Sequence, residues 1–460
     1  CIQQALQHNL DIPIQRYNPQ IYRYDLRAAS GGYDPTFNIS GVHNYNDQPS
    51  GSFNQYSTNA IPPRETKSDS INSGLGGTLP WGLQYDLSGS VADTTSSSDP
   101  ESTGGNIGVN LTQPLLKNFW IDSTRLNVRL AKNQLHSSEQ GLREQIITSV
   151  TAVANAYYEL IYAQDNVQVQ QQALELAQTQ LEQDKQRLQI GTLAVLSVQQ
   201  DESQVAQSKA NLIAAQSTLE TDQNTLKNLL TDDYAKWHDT DIQPTATLIA
   251  PTQSFDLQES WRKGMSERPD LLQSRLDVER QGIQLKYDRN QLFPELDLVG
   301  SYGFNGQGTE YQDTFRKFNT GKTPFYSYGA QLSIPLSNVN ARNNYKSAKV
   351  TLQQLLLELK QFEQNVMVEI DNAGKQAQSD YQSVEATRQA RIDAEAALDA
   401  EQKTYAVGKA TTFEVLQYQN DLTTARSQEI RALADYNEAL ANLAAQEGST
   451  LQRYGIDVTP

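Results

Sequence analysis

The residues best suited to catalysis or metal binding are too thinly spread here to act together. Histidines stand at positions 8, 43, 136 and 238, with no HxxxH pair and no carboxylate at ligand spacing. No GxSxG elbow, GxxxxGK[ST] loop or GxGxxG run occurs, so hydrolase, nucleotide and dinucleotide chemistry lose their usual carriers. "GFNGQG", Gly303 to Gly308, is rich in glycine but has no helix after it to receive a phosphate. One cysteine, Cys1, excludes an intrachain disulfide, and we read it as an ordinary exposed thiol rather than a lipidated one. We therefore expect no enzyme, no catalytic or metal-binding residue and no cofactor. The net charge of −17, without a basic stripe, argues against a nucleic-acid partner.

What remains is a question of architecture. The chain has 460 residues, 37% of them hydrophobic, and a mean hydropathy of −0.61. That suits elongated, water-facing elements better than a large globular core. No apolar run approaches the ~18 residues of a membrane-spanning helix, which leaves β-strands as the only route through a bilayer.

The sequence is duplicated. Asp11 to Pro35 and Asp270 to Pro294 cover the same 24 positions, and Phe37, Ile39 and Gly41 then match Leu296, Leu298 and Gly300. "GVNLTQPLL" (Gly108–Leu116) matches "GAQLSIPLS" (Gly329–Ser337), and "LQIG", ending at Gly191, matches "YAVG", ending at Gly408. Between its proline landmarks, Pro35 and Pro114, the first copy carries 38 residues more than the second has between Pro294 and Pro335. Each copy reads as short helix, strand, variable loop, strand, very long helix, glycine turn and returning helix. The first repeat covers 1–230, with its long helix over about 122–190. A linker covers 231–256. The second repeat covers 257–446, with strands over about 294–306 and 325–336 and a helix over about 338–405. A tail covers 447–460.

Alternation with period two marks the strands. Ile107, Val109 and Leu111 oppose Gly108, Asn110 and Thr112, while Tyr326, Tyr328, Ala330 and Leu332 line one face of the last strand. The polar face is mostly small and uncharged, as in a water-filled barrel; a soluble sandwich with one wet face is the plainer alternative. The 38-residue insertion predicts an additional hairpin over about 71–92, turning near Trp81. Whether it joins the sheet is left open. Phe119 and Trp120 fit an interfacial aromatic belt, or packing at a strand–helix junction.

Heptads mark the helices. Ile146, Val153, Leu160, Val167, Leu174, Leu181 and Leu188 fall seven apart, beside a mostly small companion line of Ser149, Ala156, Ala163, Gln170, Ala177 and Asp184. The second copy keeps Ile370, Ala377, Val384, Leu398 and Tyr405, with Glu363 and Arg391 as expected solvated interruptions. Nearly 70 residues at 1.5 Å each make a helix roughly 100 Å long, whose narrow apolar stripe requires partners from other subunits.

In this order and twice over, these pieces resemble the TolC-type outer-membrane efflux channel family. The likeness covers nearly the whole chain and rests on Arg268-Pro269-Asp270-Leu271, "LTQPLL", "LSIPLS" and the two glycine turns. It implies an α+β membrane protein: a homotrimeric outer-membrane β-barrel continued by a long periplasmic α-helical coiled-coil barrel. Strands would bend into helices at Pro114 and Pro335, and Gly303 to Gly308 would be an extracellular loop. The implied function is the exit duct of a tripartite efflux or type I secretion system. Its partners would be the lipid bilayer, a periplasmic adaptor (membrane fusion) protein and an inner-membrane pump of RND or ABC type. The tips Leu188, Ile190, Gly191, Thr192, Val407, Gly408 and Lys409 would contact the adaptor. Glu414 matches an acidic ring at the entrance, Gln417 the next position of that ring, and Tyr405 a gating tyrosine. The family's gate arginine falls at Ala410 and its acidic partner at Ser197, so a charged latch is missing or replaced. From the residues alone, Glu414 can equally be a helix-terminal acid and Tyr405 a packing residue. An elongated periplasmic coiled-coil structural or adaptor protein is the competing reading, and a stand-alone porin a third.

Overall fold

The computed structural model describes residues 1–49, 63–97, 100–253 and 255–457. Residue 254 of the expected linker and the last three residues of the expected tail lie outside them. The chain begins with α1 (Ile2–His8) and α2 (Asp11–Ser30), followed by β1 (Thr36–Gln48), β2 (Arg64–Thr78), β3 (Gln84–Ser96) and β4 (Ser102–Pro114). Then come α3 (Ser123–Gln189), α4 (Val195–Leu230) and the single turn α5 (Tyr234–Trp237). The second half comprises α6 (Leu257–Glu267), α7 (Pro269–Asn290), β5 (Glu295–Gly308), α8 (Tyr311–Thr320), β6 (Pro324–Ser333), α9 (Val339–Ala406), α10 (Thr412–Gln446) and α11 (Thr450–Arg453). The long heptad runs are thus continuous helices of 67 and 68 residues. Gly303 to Gly308 lies inside β5 and is not a loop, and, against the expectation that no helix follows it, α8 begins at Tyr311. Glycine lacks only a side chain, so it is compatible with a ladder wherever neighbours pack closely; the ring of Phe325 lies where a Cβ on Gly303 would stand.

The chain divides into two compact units. One comprises residues 1–20, 136–275 and 357–460; the other comprises 21–135 and 276–356.

The second unit holds one antiparallel six-stranded sheet in the order β1-β2-β3-β4-β5-β6. The inserted hairpin is β2–β3. It is longer than the sequence indicates, turns at Leu79–Leu83 around Trp81, and pairs along its length with both β1 and β4. The register puts opposite residues on one face. Phe37, Ile39, Ile71, Leu75, Leu87, Val91, Ile107, Val109 and Leu111 share a face with Leu298, Tyr302, Tyr326, Tyr328 and Leu332. The opposite face carries Asn38, Ser40, Ser70, Asn72, Ser88, Ser90, Asn106, Asn110, Ser301 and Ser327. Much of the apolar face is open: Ile39 is 69% and Tyr328 86% exposed. Helix α8 packs on that face toward the ends of β4 and β5, where Thr314 is buried and donates to the Thr103 carbonyl.

After Pro114 closes β4, the left-handed Asn118 turns the backbone; after β6 and Pro335, the left-handed Asn338 does the same. The first turn is tied by Arg125, which donates to the carbonyls of Asn118, Phe119 and Trp120 and pairs with Asp122 at 2.8 Å. Trp120 remains 73% exposed.

The first unit is helical. Ile146, Val153, Leu160 and Leu174 of the first ladder are buried, as are Ile370, Ala377, Val384, Leu398 and Tyr405 of the second. The two interruptions are ion-paired: Arg391 with Glu429 at 2.5 Å, and Glu363 with Arg275 at 3.1 Å. Pro269 starts α7, where its missing N–H costs nothing. Arg268 before it binds Asp270 and Glu369 and donates to Gln446, which explains the charged part of the Arg268–Leu271 motif; Leu271 itself is fully buried. Among the described residues, no helix is long and apolar enough to cross a membrane.

Candidate functional site at the helical tips

The two turns share one backbone solution. Gly191 (φ +80°) donates to the Leu188 carbonyl while Thr192 donates to that of Arg187. Gly408 (φ +75°) donates to Tyr405 while Lys409 donates to Thr404. This paired closure is the Schellman arrangement, and its left-handed residue is why glycine occupies both sites. No atom lies within 4 Å of where a Cβ would stand on either glycine. Ile190 is 75% and Val407 69% exposed. Val195, Leu196 and Phe413 are also exposed, and Leu188 is half-buried.

The returning helices start differently. Thr411 caps α10 in a reciprocal capping box with Glu414, whose carboxylate takes the Thr411 N–H at 2.7 Å. That backbone donor, with the Thr411 hydroxyl, holds the exposed Glu414 carboxyl below its ordinary pKa. Ala194 opens α4 with no side-chain cap. Gln417 is exposed and donates to Asp421 at 3.0 Å.

Inside the tips lies a polar cluster that only partly coincides with the expected residues. Tyr405 is 7% exposed, and its hydroxyl sits 2.7 Å from both oxygens of Asp184 and 3.0 Å from the Thr412 hydroxyl. Thr412 and Gln180 also approach Asp184, at 3.3 and 3.0 Å. The Arg187 guanidinium covers the Tyr405 ring at 4.5 Å from its centre and stands 4.0 Å from Asp184. Burial raises the Tyr405 hydroxyl above its ordinary pKa. On α4, Asp201 is wholly buried, and neither of its oxygens receives a hydrogen bond from a donor group; its carboxyl instead lies within hydrogen-bonding reach of Asp184. Burial, followed by the neighbouring Asp184, pushes its carboxyl up to about 7.

The sequence thus pointed to Tyr405 but missed its surroundings. Asp184 was visible as the single acid in the small companion line of the heptads. Asp201 and Thr412 left no comparable signal. Ala410 and Ser197, where a charged latch would stand, are half-buried and bring no charge.

A second charged cluster lies higher on α10. Arg431 pairs with Glu159 at 2.7 Å, Asp435 at 2.5 Å and Glu438 at 3.4 Å. Burial and Glu159 push the Glu438 carboxyl up to about 7. Among the described residues, no group of three or more His, Cys, Asp or Glu could hold a metal.

Comparison with known proteins supplies the biological frame. The family model described as "Outer membrane efflux protein" matches residues 1–231 and 263–449. Outer membrane protein TolC of Vibrio cholerae is 25% identical over 402 residues, covering 86% of this chain and 88% of that protein. The outer membrane efflux protein BepC of Brucella suis is 24% identical, covering 77% and 75%. Among solved structures, VceC of Vibrio cholerae has a TM-score of 0.70 at 18% identity, covering 97% of this chain and 95% of that one. The open-state outer membrane channel MtrE of Neisseria gonorrhoeae has a TM-score of 0.68 at 17% identity, covering 98% and 88%.

Proposed function

As a member of the outer membrane efflux protein family, this chain is an outer-membrane exit duct, and we propose that it works passively, as a homotrimer, on substrates delivered by a periplasmic adaptor and an inner-membrane pump of RND or ABC type. The sheet is the observation that supports this most. One face is largely apolar, the other is mostly small and polar with a few acids such as Asp86 and Asp297, and the strand order leaves β1 and β6 with free edges. A lipid-exposed open edge is not tolerated in hydrocarbon, so other copies must close the sheet. The competing coiled-coil structural or adaptor reading gives such a sheet no role.

In this reading the glycine turns are the periplasmic tips. Ile190, Gly191, Val407 and Gly408, with Leu188, Thr192 and Lys409 beside them, present an apolar surface to the adaptor. The Tyr405–Asp184–Thr412 cluster takes the place of the missing charged latch. It holds α3 against the second tip through a neutral hydroxyl rather than an ion pair. Three copies of Glu414 ring the entrance and favour cations, with Gln417 uncharged beside them.

Membrane fractionation and planar-bilayer recording test the reading together. The full chain is expected in the outer-membrane fraction, and the purified protein should open ion-conducting pores. Recovery in the soluble periplasm, with no pores formed, would overturn it.

A further inference from the structure

The two copies of the repeat supply two strands each, and the insertion in the first copy supplies two more. We propose that the inserted hairpin β2–β3 is part of the pore wall, so that three copies close a barrel of eighteen strands rather than twelve, and the duct takes bulkier cargo through its membrane section. This rests on the trimeric duct reading and extends it.

Several observations carry the proposal. The hairpin pairs with β1 over Thr36–Gln48 and with β4 over Ser102–Thr112, so it stands between the strands that the repeat supplies and does not cap them. It obeys the same two-faced rule as its neighbours. Ile71, Leu75, Leu87 and Val91 continue the apolar face, while Ser70, Asn72, Ser88 and Ser90 continue the polar one. A hairpin folded into the lumen or standing above the membrane would have no reason to keep that phase across its neighbours. The count of six also preserves closure. All five pairings are antiparallel, so β6 runs opposite to β1. The free edge of β6 can therefore meet β1 of the next copy without breaking the alternation, and the apolar faces stay outward. Inserting two strands keeps this parity, whereas one would destroy it.

Width follows from the number of strands. Barrel diameter grows roughly linearly with strand count, so eighteen strands give about 1.5-fold the diameter of twelve and about twice the cross-section. At ~4.8 Å strand spacing and ~40° tilt, the backbone radius rises from roughly 12 to roughly 18 Å.

The test uses the full chain in lipid bilayers, with Cys1→Ser as background. Leu87→Cys should react with a maleimide dissolved in the membrane and resist a charged, water-soluble one. Ser88→Cys, one residue on, should do the reverse. Polymer exclusion measured from the barrel side should fall about 1.5-fold in polymer radius when residues 64–96 are deleted. Water-phase labelling of Leu87→Cys in protein that still conducts would overturn the hairpin's place in the wall and leave the duct reading intact. Absence of pores in the Cys1→Ser background would overturn both. If the deletion variant does not assemble, the paired cysteine labelling decides alone.

Discussion

Asp201 offers the sharpest test of the tip cluster. Its carboxyl is wholly buried, receives no hydrogen bond from a donor group and lies within hydrogen-bonding reach of the Asp184 carboxylate. Raised to about 7, it binds a proton in the folded tip that it would release in the unfolded chain above pH ~4. The folded state then carries more protons than the unfolded one between pH ~4 and ~7, so stability falls with rising pH across that window and levels off above it. The slope is at most about 1.4 kcal/mol per pH unit and halves as pH reaches the folded pKa, giving a loss of about 2 kcal/mol from pH 5 to pH 7. Asp201→Asn keeps the shape, removes the titration and should remove this part of the loss. The variant should thus gain about 2 kcal/mol on the wild type between those pH values. Hydrogen exchange in the peptides around 195–205 and 405–415 reads the effect locally. Asp184 faces the group in both proteins, held from its other side by Tyr405 with Arg187 over that ring, and Glu438, the other strongly raised carboxyl, titrates in both, so their contributions largely cancel in the comparison. Equal pH dependence in wild type and Asp201→Asn would refute the buried-proton account.

Other expectations follow from the same geometry. Tyr405→Phe removes the donor shared by both Asp184 oxygens; a loss of about 1–3 kcal/mol in tip stability, with more frequent opening in single-channel records, is expected, and unchanged opening would remove Tyr405 from the gate. Gly191→Val meets no neighbouring atom but is forced to φ +80°, at about 1–2 kcal/mol; trimers should still form on native gels while adaptor-dependent export drops, and full export would end the docking assignment. Glu414→Gln should reduce cation selectivity, measured as a reversal-potential shift under a salt gradient, and an unaltered potential would leave the residue only its capping role.

The helices were largely legible because their signal is long. Seven apolar positions from Ile146 to Leu188, spaced by seven and free of proline, leave little room for another structure. The strands were legible from alternation and from the duplicated proline endings. The inserted hairpin was legible too, but its place in the sheet was not, since its pairing depends on partners tens of residues away, and a short glycine-rich run such as Gly303–Gly308 looks like a loop until a ladder claims it. Helix α8 was missed for a similar reason: ten residues with aromatics at Tyr311, Phe315 and Phe318 are shorter than a convincing period. At the tips, Tyr405 and both glycines could be placed from the repeat. Asp184 and Asp201 could not be paired from it, because they lie on different helices and meet only through the turn at Gly191.

The two tips close with the same backbone turn but reopen unequally. Thr411 and Glu414 satisfy orphan donors at the start of α10, so that helix can nucleate from its own sequence. Helix α4 begins at Ala194 without such help and depends on what it packs against. The first tip is therefore the weaker of the two. Fraying should begin there, and a protease reaching the tips would find its first cut between Ile190 and Val195.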